Sequence, residues 1–76
     1  MRVFQDEAGR EWEVIVGRES WGTVVALFLI RREPGAPRQT YLEVRSVDEG
    51  NRLLSGLNVE GLRSLLADSV PKPSAS

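Results

Sequence analysis

Few side chains in this sequence carry reactive chemistry, and their types limit what that chemistry can be. Eleven acidic residues stand against nine arginines and one lysine, for a formal net charge of −1, and the chain contains neither histidine nor cysteine. The usual zinc sites and histidine-based proton transfer are thereby ruled out. A hydrolytic nucleophile would need a serine–lysine pair or cooperating carboxylates instead. The single lysine, Lys72, lies in a Pro- and Ser-rich terminal stretch. Glu11 and Glu13, two apart and so on one strand face, read as solvated edge charges rather than as an acid–base pair. No glycine-rich phosphate loop, calcium loop or metal-ligand spacing occurs. The expectation is a protein that is not an enzyme, with no catalytic residue, no metal site and no cofactor.

Charge offers a second possibility. Arg31, Arg32, Arg38 and Arg45 gather around one expected hairpin, as the cations of a phosphate-contacting ribbon would. Glu33 and Glu43 lie among them, however, and the overall balance lacks the basic excess that supplies most of a nucleic-acid binder's affinity. A solvated hairpin that protects a sheet edge fits better. The four arginines remain the nucleic-acid candidates of the alternative reading.

The element that must position all of these is Thr23-Val24-Val25-Ala26-Leu27-Phe28-Leu29-Ile30, closed by Arg31 and Arg32. Its β-branched and aromatic content predicts a strand, ended by the Pro34-Gly35 turn. Alternation sends Val24, Ala26, Phe28 and Ile30 one way and Val25, Leu27 and Leu29 the other, so both faces are apolar. A strand of that kind needs cover on both sides.

Before it, Phe4 to Trp12 reads as a β-hairpin. Asp6 accepts from the turn, Gly9 takes a positive φ, and Phe4 falls opposite Trp12. In the second strand Trp12, Val14 and Val16 share the face of Phe4, while Glu11, Glu13 and Ile15 take the other. Gly17 to Gly22 is read as a connection whose tip residue, Trp21, is either a binding anchor or a lid on the core. After the organising strand comes a fourth, from Arg38 to about Arg45, with Thr40, Leu42 and Val44 on one face and Tyr41 on the other.

Residues 46–51 are dense in turn formers and read as a loop, with Leu53, Leu54 and Leu57 as a short strand or irregular wrap. One helix is predicted, capped by Asn58 and carrying the stripe Val59, Leu62, Leu65, Leu66 and Val70. Gly61 inside it costs about 1 kcal/mol relative to alanine unless a strand passes close by. The expected class is therefore α+β, an antiparallel sheet of about four strands with one C-terminal helix packed on one face (ββββα). Residues 1–70 make a single domain and residues 71–76 a disordered tail.

With 76 residues, burial barely offsets conformational entropy, and small chains add disulfides, a metal or another subunit. Disulfides and the usual zinc sites need cysteine or histidine, which this chain lacks. One helix covers one sheet face, so the second face is expected to mate with an identical copy, as a symmetric homodimer, or with a partner protein. The interface candidates are Val25, Leu27, Leu29, Trp21 and Tyr41. Neither a signal peptide nor a membrane span is apparent, and a cytoplasmic protein with no membrane or small-molecule partner is expected.

The opening Phe4-Gln5-Asp6-Glu7-Ala8-Gly9-Arg10-Glu11-Trp12-Glu13-Val14 resembles the start of many short, uncharacterised bacterial proteins that begin Phe-x-Asp-x-x-Gly-Arg-x-Trp-x-Val. Those proteins also show a Leu-Ser-rich approach to a Leu-x-x-Leu-Leu helix, here Leu54-Ser55 and Leu62 to Leu66. That likeness implies a compact sheet-plus-helix module. The order of four strands and a helix is also similar, in layout only, to the transcription-coactivator PC4 family of dimeric single-stranded DNA binders. It implies a basic groove with stacking aromatics, for which Arg31, Arg32, Arg38, Tyr41 and Trp21 are the candidates.

Overall fold

In the computed structural model, which describes residues 2–19 and 22–72, the first hairpin closes where the sequence places it. β1 (Arg2–Gln5) runs antiparallel to β2 (Glu11–Arg18), with Phe4 opposite Trp12. The turn explains the register. Gly9 sits at φ +85°, a conformation that L side chains resist, and one oxygen of the Asp6 carboxylate accepts from the amides of Ala8 and Arg10, each at 2.9 Å. Its other oxygen accepts from the indole Nε1 of Trp12 at 2.9 Å, which ties the turn to the buried side of the sheet.

β3 (Val24–Ile30), β4 (Arg38–Tyr41) and β5 (Val70–Pro71) complete an antiparallel sheet in the order β1-β2-β3-β4-β5. The expected four strands and one helix are corrected to five strands and two helices, within the same α+β class. Both helices lie on the face that carries Phe4, Trp12, Val14, Ala26 and Phe28, and the core forms there with Leu54 and Leu62. Phe4 meets Phe28 edge-to-face at 6.1 Å between ring centres. The result is a slab measuring 34 × 32 × 18 Å between Cα extremes, with the helical layer on one side only.

The helix that sequence reading misses is α1 (Val47–Gly56). The Ser46 hydroxyl accepts from the amide of Glu49 at 3.1 Å, and Asp48 and Glu49 place negative charge at the helix start. Gly50 is read more naturally as a turn former, but its function is contact. A Cβ there would stand 3.0 Å from Val16 Cγ1 and 3.2 Å from Val24 Cγ1, so its absence lets the helix settle onto β2 and β3. Gly17, expected in a connection, is likewise inside β2, and a Cβ on it would stand 2.8 Å from Leu27 Cδ1.

α2 (Val59–Asp68) begins as predicted, with the Asn58 side chain accepting from the amide of Gly61 at 2.9 Å. Two ends of its expected stripe are corrected. Val59 is exposed, and Val70 leaves the helix at the Ser69 cap to pair with Gln39 in β5. No strand passes Gly61. The Leu57 side chain folds over it, 2.9 Å from where a Cβ would stand. Pro71, read as tail, belongs to the sheet, where it pairs with Arg38, and just beyond it the Lys72 amide donates to the Pro37 carbonyl at 2.8 Å.

Neither helix has a basic residue in its last turn, and an arginine from a strand serves each end. The Arg2 guanidinium donates to the carbonyls of Leu54 and Leu57 at the end of α1. That of Arg38 donates to the Ser69 hydroxyl at 2.9 Å and the Ser69 carbonyl at 2.6 Å at the end of α2. Each pairing offsets the partial negative charge of a helix C-terminus.

Candidate functional site

Register places every side chain of the second sheet face. One row runs Val3, Glu13, Leu29; the next Ile15, Leu27, Gln39, Val70; the third Gly17, Val25, Tyr41. No helix covers them. Val3 is 45% exposed, Leu29 37%, Tyr41 61% and Val70 54%, so four of the large exposed apolar side chains come from four different strands onto one face.

Of the residues expected at an interface, Leu29 and Tyr41 present surface, Leu27 is half-buried, and Val25 is buried within the protomer. Trp21 lies outside the described residues. Sequence reading overlooks Val3 and Val70. Strand alternation against Phe4 marks Val3, whereas the spacing of Val70 from Leu66 fits a helix and hides its place in a strand. Gln39 is also on this face, 7% exposed, and its Oε1 has no hydrogen-bond partner among the described residues.

The rim of this face is charged at one end. Gln5, Glu11 and Arg31 stand in line there, the Arg31 amide donating to the Glu11 carbonyl at 2.9 Å, and the Arg32 side chain lies 3.6 Å from the Glu11 carboxylate. Both sheet edges are blunted. The outward carbonyl of Gln5 accepts from Arg63 Nε on α2 at 2.9 Å, and β5 is two residues long with a proline that has no amide to donate.

The four arginines of the nucleic-acid alternative are differently employed. Arg38 is held by Ser69, Arg32 stands against Glu11, and the exposed Arg31 and Arg45 belong to separate loops. An open groove of about 460 Å³ between the first turn and α2 is lined by Asp6, Glu7, Arg10, Glu60, Arg63 and Ser64, among others. Its charges oppose one another. Arg10 contacts Asp6 at 3.2 Å and Arg63 contacts Glu60 at 3.3 Å. Burial pushes the Asp6 carboxyl up, but the hydrogen bonds from Trp12, Arg10 and Ala8 and the nearby Arg10 charge outweigh it and hold its pKa below the ordinary aspartate value.

Among the described residues, no group of three or more acidic, histidine or cysteine side chains is placed to hold a metal, and no helix is long and apolar enough to cross a membrane. No protein family, curated protein or solved structure matches the chain.

Proposed function

We propose that this chain is a small, non-catalytic interaction module that associates, with a copy of itself or with a partner protein, through the open face of its sheet. One observation carries the reading: Val3, Leu29, Tyr41 and Val70 are exposed together on the side away from the helices. Isolated exposed apolar residues need no explanation, whereas a group gathered on one flat face marks an interaction surface. Glu11 and Arg31 give that group a polar margin of the kind that rims protein interfaces, while Glu13 stands inside it between Val3 and Leu29. The small core of a 76-residue chain supports the same reading, because a partner adds the burial that such a chain lacks.

The test is a photo-crosslinking amino acid at position 41, compared with one at Val59, which is exposed on the helical layer. Irradiation of intact cells is expected to give one discrete adduct from position 41 and none from position 59, with the adduct lost when Leu29→Asp is added. Absence of an adduct at 41, or the same adducts from both positions, overturns the reading.

A further inference from the structure

Resting on that reading, we infer that the occupant of the open face is a second copy of this chain, turned about a two-fold axis that runs along β3. The two flanks of β3 are complementary to each other. In the row Gly17, Val25, Tyr41, one flank carries no side chain and the other carries the most exposed aromatic ring of the face. A two-fold along β3 exchanges the flanks, so Tyr41 of each copy lands over Gly17 of the other, on a floor formed by backbone and the Leu27 side chain that leans across it. Leu27 and Leu29, on the axis, meet their own copies.

Charge follows the same exchange. Glu11 and Glu13 lie on the β2 flank, and Lys72 follows β5 on the opposite flank, its amide bonded to Pro37 one residue beyond the β4 pairing. Alternation from Val70 puts the Lys72 side chain on the open face. The rotation brings the acidic flank of each copy beside the other's lysine. The net charge of −1 adds almost no repulsion between copies.

The edge strands β1 and β5 are only four and two residues long and offer little for strand addition, which favours face-to-face packing of two sheets about 10 Å apart. At about 4.8 Å between strands and 3.4 Å per residue, the sheet presents roughly 400 Å² of flat area. Two copies cover about 800 Å² before side-chain relief is counted, below the about 1,200 Å² of standard-size interfaces and within the range of weak, transient ones. A dimer of micromolar rather than nanomolar strength is the expected consequence.

Sedimentation equilibrium of the purified chain tests this directly. A species of twice 8.5 kDa is expected at tens of micromolar, with Leu29→Asp weakening dimerisation at least about 30-fold while circular dichroism stays that of the parent. Single Glu13→Lys or Lys72→Glu changes are expected to weaken it a few-fold, and the double exchange to restore it. Because the parent has no cysteine, Leu29→Cys provides a unique thiol that a short bis-maleimide joins to its own copy, while Tyr41→Cys, displaced from the axis, joins poorly. A monomer at several hundred micromolar overturns the self-pairing and leaves the broader reading intact if the position-41 adduct persists. A dimer indifferent to Leu29→Asp overturns both. A dimer in which the charge exchange fails and Tyr41→Cys joins as fast as Leu29→Cys overturns the axis.

Discussion

Arg38 separates a structural role from a phosphate-binding one, and Arg38→Met makes the separation measurable. The substitution keeps most of the aliphatic stem and removes a fork that donates to the Ser69 hydroxyl at 2.9 Å and the Ser69 carbonyl at 2.6 Å. A hydrogen bond from a charged donor is worth about 1.5 kcal/mol at the low end, and a cation at a helix C-terminus adds about 0.5 kcal/mol. Some of that is recovered because Ser69, now reached by water, rehydrates. The expected loss is about 2–3 kcal/mol, a large share of the roughly 4–11 kcal/mol that a domain of this length has. Urea denaturation followed by tryptophan fluorescence reads the loss, since Trp12 is buried in the core. Hydrogen exchange should place the added opening at the end of α2 and in β5, because Ser69 joins the two. Arg38→Lys keeps the charge without the fork and is expected to recover only about 0.5–1 kcal/mol. The reasoning is refuted if Arg38→Met stays within about 0.5 kcal/mol of the parent, or if lysine serves as well as arginine.

Three further outcomes follow from local geometry. The Asp6 carboxyl titrates below its unfolded value, so its contribution is fully present above about pH 4 and is lost as pH falls through the lower folded pKa; acid titration of the parent should show this step and Asp6→Asn should lack it. Gly50→Leu has to push Val16 and Val24 aside, and thermal melts should show about 2–3 kcal/mol of destabilisation despite better helix propensity. Gln39→Met replaces a buried amide whose oxygen lacks a partner among the described residues by an apolar chain of similar length, and a gain of about 1 kcal/mol in chemical denaturation is expected; a loss of that size would mean the amide is satisfied.

The parts of the fold that were legible are those specified by neighbouring residues. Asp6, Gly9, Phe4 and Trp12 define the first hairpin within nine residues, and the content of β3 declares both its strand character and its two apolar faces. α1 is hidden because Gly50 and Asn51 resemble turn formers, although Ser46-x-x-Glu49 is a helix-start signature. What makes Gly50 acceptable in a helix is the pair of valines it touches, 34 and 26 residues earlier in the chain, and no local pattern records that. β5 is beyond local reading for a similar reason, since two residues pair only because the edge of β4 is already in place. At the open face, Leu29 and Tyr41 followed from alternation, whereas Val70 followed only from that long-range pairing.

The arginine clamps also bear on the order in which the protein can mature. Arg2 and Arg38 belong to strands made early, and the carbonyls they hold are 52 and 31 residues further along. As the chain leaves the ribosome, β1 to β4 therefore emerge before either helix, and the face that packs on Leu54 and Leu62 stays uncovered until α1 and α2 follow. Slow synthesis across the two helices would lengthen that exposure, and faster passage would shorten it.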